Sequence, residues 1–159
     1  MISRRNILLY ASAILILING KAMDAMPSPL PSVTGIKEIN FGIAIVNYKE
    51  KRLEKLSGHS SSLEVYQELK RLIDGHRLRL LPKEAQGGKP AAADYVFLDC
   101  KTQSGEAFTV GVYNRKLVII NGTSYEVVRN HSTDSISPEF HHYLLTHPEL
   151  WTEKTPSKK

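Results

Sequence analysis

The second half of the chain alternates apolar and polar residues over several consecutive short stretches, which restricts it to extended strands joined by tight turns. Val96, Leu98 and Cys100 carry the apolar positions of the first stretch. Asn121-Gly122 separates the last two stretches, and this dipeptide favours a two-residue hairpin turn because both central positions need a positive φ. We therefore predict a β-meander with strands at residues 95–100, 108–112, 117–120 and 123–128.

The first half contains one further strand and one helix. Residues 39–46 alternate large and small side chains, which predicts a strand. Residues 49–56 are charged, and both a helical turn and a hairpin arm remain open for them. Residues 61–74 predict a helix, since Ser61 and Glu64 have capping-box spacing and apolar residues recur at helical intervals.

Shorter elements complete the predicted domain. Residues 77–81 alternate as a short strand, and residues 82–93 form a surface loop because two glycines and two prolines break every periodicity. Ser137 followed by Pro138 predicts an N-cap and a first helical residue for a helix that ends near residue 146.

Together these elements predict an α+β domain: an antiparallel β-meander sheet packed on one main helix, with a short C-terminal helix. The 159 residues are sufficient for one domain, which we place at residues 35–151. We expect a linker rich in proline and serine at residues 23–34 and a disordered tail at residues 152–159.

The N-terminus has the pattern of a cleavable export signal over residues 1–22, with a second cleavage position after residue 25. Arg4 and Arg5 precede a 12-residue apolar run. This run is shorter than the roughly 20 residues that cross a bilayer, so we expect no permanent membrane span. Its strong apolarity favours general secretion over the twin-arginine route, and the expected location is periplasmic or secreted.

The basic charge of the chain lies outside the predicted domain. The full sequence has a formal charge of +5, with 21 basic and 16 acidic residues. Residues 23–151 contain 15 residues of each sign, because the leader and the tail carry the excess lysines and arginines. A nucleic-acid partner is therefore not expected, since such a partner needs a basic surface on the domain itself.

Neither cysteine nor histidine chemistry is indicated. A single cysteine excludes an intrachain disulfide and a cysteine-rich zinc site. Cys100 alternates with Val96 and Leu98, so we expect a small buried hydrophobe, with an intermolecular disulfide as the minor alternative. His141 and His142 point about 100° apart on a helix and do not share a face. We predict no metal, no cofactor and no catalytic residue.

The sheet offers a candidate binding face. Tyr95, Phe97 and Tyr113 fall opposite the apolar positions of their strands, and Lys101 follows on the same side. Aromatic residues among polar ones are typical of protein contact surfaces. An equally weighted alternative is that the C-terminal helix covers this face through Phe140 and its apolar neighbours.

The function that fits these patterns is a small exported, non-catalytic domain that binds a protein or an envelope component. An inhibitor or an immunity-type protein belongs to this class. One alternative is an envelope hydrolase that uses His131 or His142 with a nearby acid, and another is a structural or assembly subunit. A non-catalytic role is favoured over an enzyme because no assembled catalytic motif is present. The oligomeric state stays open.

Overall fold

The computed structural model describes residues 28–87, 92, 94–128 and 136–153. The predicted export signal lies outside these residues. Helix α1 spans Leu63–Asp74 and helix α2 spans Ile136–Thr146, and single 3₁₀ turns lie at Lys83–Ala85 and Pro148–Leu150. The strands are β1 (Ile36–Asn47), β2 (Arg52–Ser60), β3 (Arg77–Leu80), β4 (Tyr95–Thr102), β5 (Ala107–Tyr113), β6 (Leu117–Ile120), β7 (Thr123–Val128) and β8 (Thr152–Glu153).

All eight strands belong to one sheet with the order β3-β7-β6-β5-β4-β1-β2-β8. Every pair of neighbours is antiparallel. The meander from β4 to β7 lies where the alternation placed it, and Asn121 and Gly122 both have the positive φ of the predicted turn. The predicted α+β class is confirmed. No helix in the described part of the chain is long and apolar enough to cross a membrane.

Residues 49–56, for which the sequence allowed a helical turn or a hairpin arm, belong to the turn and the second arm of a hairpin. Residues 48–51 form the turn and β2 pairs with β1 from Asn47↔Arg52 to Ile39↔Ser60. The long strand β1 pairs with β4 along its other edge and therefore belongs to an established sheet. Pairing of β2 with this sheet outweighs the weak helical spacing of the leucines in β2.

The helices begin one and two residues away from their predicted starts. Ser62, not Ser61, is the N-cap of α1, and its Oγ accepts a hydrogen bond from the Glu64 amide at 3.2 Å. The reason is that β2 continues to Ser60, so two residues are needed to turn into the helix. α2 begins at the buried Ile136, which places the expected N-cap Ser137 inside the first turn.

A single core lies between the helices and one face of the sheet. Its members on each strand occupy alternate positions, apart from Ile36 at a register shift in β1, so they come from the same face. The fully buried side chains include Leu69 and Ile73 of α1, Phe140 and Leu144 of α2, and Ile39, Leu98 and Val110 of the sheet. Because both helices contribute to this cluster, both pack on the same side of the sheet.

The described part of the predicted linker packs against the domain. Leu30 is buried in the core, and the Tyr66 hydroxyl donates a hydrogen bond to the Pro31 carbonyl at 2.6 Å. The packing of the domain therefore extends back to Leu30.

The first two residues of the predicted tail form β8. Thr152 pairs with His59 of β2, and Trp151 lies edge-on to Phe41 with ring centroids 5.5 Å apart. Contact of the large indole with the core holds this short strand at the sheet edge. Residues 154–159 lie outside the described residues.

Candidate binding face

Tyr95, Phe97 and Tyr113 lie on the face of the sheet opposite the helices. They alternate with Val96, Leu98 and Val112, which are fully buried in the core. We call this side of the sheet, from Tyr95 and Tyr113 through Phe97 to Lys101, the aromatic face. α2 does not cover it, because Phe140 and Leu144 point into the core on the other side. The alternative that assigned this face to the C-terminal helix is therefore wrong.

Phe97 stands between two glycines. The strand register places it opposite Gly42 of β1 and Gly111 of β5. The ring of Tyr113 occupies the space above Gly111, and the ring of Tyr95 lies beside Gly42. Phe97 is half-buried, as is Tyr95 one row away.

Tyr113 forms part of the floor of this face rather than its contact surface. A Cβ on Gly111 would lie 2.5 Å from Cε2 of Tyr113, so the phenol ring lies across the glycine. Tyr113 is only 6% exposed, and burial raises the pKa of its hydroxyl. The small residue at position 111 is what allows the ring to lie flat. Tyr95 and Phe97 are half-buried, so they are more accessible to solvent than Tyr113.

Lys101 lies at the other end of β4 from Tyr95, about 20 Å away at the rise of an antiparallel strand. Its side chain is 58% exposed, and its Nζ is 3.7 Å from a carboxylate oxygen of Glu38. A hydrogen bond from Asn40, followed by the charge of Lys101, lowers the pKa of Glu38. The structure thus brings the three aromatic residues together and leaves Lys101 apart, as an exposed charge at the rim.

A second feature of this surface lies where two hairpin turns meet, and no sequence motif indicated it. The β1–β2 turn (residues 48–51) and the β5–β6 turn (residues 114–116) lie at the same end of the sheet, and together we call them the hairpin end. Arg115 connects them. Its Nε donates to Asp94 Oδ2 at 2.8 Å, its NH2 group donates to the Val46 carbonyl at 3.4 Å, and its guanidinium carbon lies 5.5 Å from the ring centroid of Tyr48.

The position of Arg115 in its turn is unusual. Asn114 and Arg115 have φ values of 49° and 59°, the left-handed conformation that a type I′ turn needs at both centres. Glycine is the usual residue at the second centre because a side chain there is strained. The ion pair with Asp94, which is 4% exposed, compensates for that strain. The other oxygen of Asp94 has no hydrogen-bond partner among the described residues.

Cys100 is a core residue, as predicted. It is fully buried among the sheet residues that face the helices, and burial raises the pKa of its thiol to about 12. A thiol of this kind is protonated at neutral pH and does not act as a nucleophile.

The histidines do not assemble a catalytic group in the described residues. His142 is exposed, and His131 lies outside the described residues. His141 Nδ1 lies 3.9 Å from Glu54 Oε2, which is longer than a hydrogen bond. Across the residues that the structure describes, no three His, Cys, Asp or Glu side chains are grouped as metal ligands.

Comparisons of the chain with protein-family models, with curated proteins and with solved structures find no match.

Proposed function

We propose that this chain is a small exported, non-catalytic domain that binds another protein through the aromatic face of its sheet. The proposal rests chiefly on one observation, which is that the helices pack on only one face of the sheet. Both helices lie against one face, while Tyr95 and Phe97 stand half-buried on the opposite face.

The composition of the aromatic face supports a protein partner. Its centre carries aromatic side chains above small residues, and its rim carries charged side chains such as Lys101, Asp99 and Lys55. Protein interfaces commonly have such an apolar centre and polar rim, and tyrosine and arginine are enriched among the residues that contribute most to affinity. Export is supported by the leader pattern of residues 1–22.

The hydrolase alternative receives less support. A histidine that acts as a general base needs an acid within hydrogen-bond distance and a substrate beside it. Of the two histidines in this alternative, His142 has no carboxylate within hydrogen-bond distance among the described residues, and His131 lies outside them.

In-cell photo-crosslinking tests the proposal. The full chain is produced in its own cells with benzoylphenylalanine in place of Asp99, the exposed residue that follows Phe97 on the same face of β4. The matched control carries the same crosslinker in place of Gln67, an exposed residue of α1 on the opposite side of the molecule.

We expect discrete protein adducts from position 99 and at least about tenfold fewer from position 67, the ratio that about 1.4 kcal/mol of preferential binding produces. Equal adduct yields from the two positions, or no protein adduct from position 99, would contradict the proposal.

A further inference from the structure

We propose that the hairpin end recognises an acidic surface on the protein partner, so that this part of the molecule selects which protein docks on the aromatic face. This inference rests on the proposed binding function and adds the chemistry of the partner. It follows from how the charges at the hairpin end are paired.

The carboxylates at the hairpin end are all paired with arginines. Arg52 contacts Glu50 at 2.7 Å and Glu54 at 3.1 Å, and Arg115 contacts Asp94 at 2.8 Å. Hydrogen bonds from Asn47 and Arg52 lower the pKa of Glu54, so this carboxylate stays charged and bound to its partners at neutral pH. The negative charges of this region are thereby engaged within the molecule.

The lysines of the same region have no such partners. Four exposed lysines surround the two turns, and none of them makes an ion pair with a described residue: Lys49, Lys51, Lys55 and Lys116. The domain as a whole is near neutrality, so this excess of positive charge is local. An unpaired basic cluster on a neutral domain attracts a complementary acidic surface and increases the rate of encounter.

Apolar side chains lie among these lysines. Tyr48 is 72% exposed and Leu53 is 46% exposed, and they are two of the four exposed large hydrophobic residues in the described part of the chain. Leu53 pairs with Val46, on the same side of the sheet as Tyr95. The exposed apolar surface thus continues from the hairpin end onto the aromatic face.

The hairpin end is also fixed in position before any partner arrives. Arg115 joins the two turns through Asp94, the Val46 carbonyl and the Tyr48 ring. A preorganised surface loses less conformational entropy on binding than a flexible one. The exposed apolar side chains of Tyr48 and Leu53 among the lysines favour a protein over a polyanion, because a phosphate backbone offers them no apolar contact.

Charge reversal at the hairpin end tests this inference. The full chain carries benzoylphenylalanine in place of Leu53 and is produced in its own cells, with or without the double substitution Lys49→Glu/Lys116→Glu. These two lysines come from the two turns and are exposed. The control Lys37→Glu/Lys83→Glu makes the same change in charge at exposed positions outside the hairpin end.

We expect protein adducts from position 53 to fall at least about tenfold in Lys49→Glu/Lys116→Glu and to stay within about twofold in the control, as expected when charged partners are lost from one site only. Equal yields in the two double variants would overturn the inference. Adducts that consist of lipid, or that nuclease removes, would overturn it as well, because they identify a different class of partner.

The same variants separate the two proposals. If protein adducts from position 53 and position 99 both persist in Lys49→Glu/Lys116→Glu, the acidic-partner inference is overturned and the binding function stands. If neither position 53 nor position 99 gives protein adducts in the chain without the lysine substitutions, both proposals are overturned. Thermal unfolding midpoints of the variants verify that the fold is retained.

Discussion

Arg115 occupies a backbone conformation that usually selects glycine, and its side chain explains why arginine is found there. The guanidinium binds Asp94 and lies against Tyr48, so one residue joins two turns that are more than 60 positions apart in the chain. The meander pattern predicted a tight turn between the strands at residues 108–112 and 117–120, and Asn114 and Arg115 form that turn. The long-range partners could not be predicted, because nothing local to Arg115 indicates Asp94 or Tyr48.

His141 gives the domain a pH dependence of stability that can be measured. Burial lowers the pKa of its ring from the ordinary value of 6.5, with Glu54 acting in the opposite sense and His142 in the same sense. Between the two pKa values the unfolded chain binds more protons than the folded one. The contribution of His141 is therefore fully present above about pH 6.5 and is lost as the pH falls below that value.

We expect His141→Gln to reduce the decline in unfolding free energy between about pH 7 and pH 5, as measured by urea denaturation at several pH values. His142→Gln, at the exposed neighbouring position, serves as the control and keeps the decline. The carboxylates with lowered pKa, Glu38, Glu54 and Glu68, act in the same direction but only below about pH 4.5. A decline that is the same in both variants would show that His141 is not its source.

At the scale of elements, the β1–β2 hairpin shows what sequence periodicity can and cannot predict. β1 and the four meander strands follow from alternation, because one face of each is buried and the other is not. β2 has few apolar residues and is mostly exposed, so its pattern is weak. Its conformation is imposed by pairing with β1, which is a long-range interaction that a local pattern does not contain.

A substitution at Gly58 tests whether close packing between β2 and Trp151 holds the C-terminal segment in place. A Cβ at this position would lie 2.6 Å from the Thr152 carbonyl oxygen and 2.8 Å from both Phe41 Cζ and Trp151 Cε3. Gly58→Ala therefore displaces Trp151 and β8. We expect it to lower the unfolding free energy by about 1–3 kcal/mol, the usual cost of overpacking.

Chemical denaturation followed by the fluorescence of Trp151, the single tryptophan, measures this effect. Ser57→Ala is the matched control, because Ser57 is exposed and surface substitutions change stability by less than about 0.5 kcal/mol. If the two variants unfold at the same denaturant concentration, the contact between Gly58 and Trp151 does not stabilise the domain.

At the scale of the whole molecule, the central feature is a sheet with two different faces. Alternation in the sequence divides the residues between the faces, and it correctly placed Tyr95, Phe97 and Tyr113 opposite the core. It could not say which face α2 covers, because the path of a helix depends on the connection that precedes it and on contacts such as that of Trp151 with Phe41. The hairpin end could not be predicted from the sequence either, because its two turns come together only when the sheet folds.

Substitutions at two adjacent residues distinguish an effect on folding from an effect on binding. Leu98 is fully buried in the core, so Leu98→Ala is expected to lower the unfolding free energy by about 2–5 kcal/mol. Phe97 is half-buried on the opposite face, so we expect Phe97→Ser to cost less than about 2 kcal/mol, in proportion to the smaller area that it buries. Urea denaturation of both variants measures this difference and shows that Phe97→Ser is folded.

The most direct test of the account is the yield of protein adducts from the crosslinker at position 99, compared between the wild-type chain and Phe97→Ser. If the aromatic face is the binding surface, removal of its central ring should lower the yield at least about tenfold in a folded protein, because a buried aromatic anchor typically contributes 2 kcal/mol or more to an interface. An unchanged yield in folded Phe97→Ser would contradict the account.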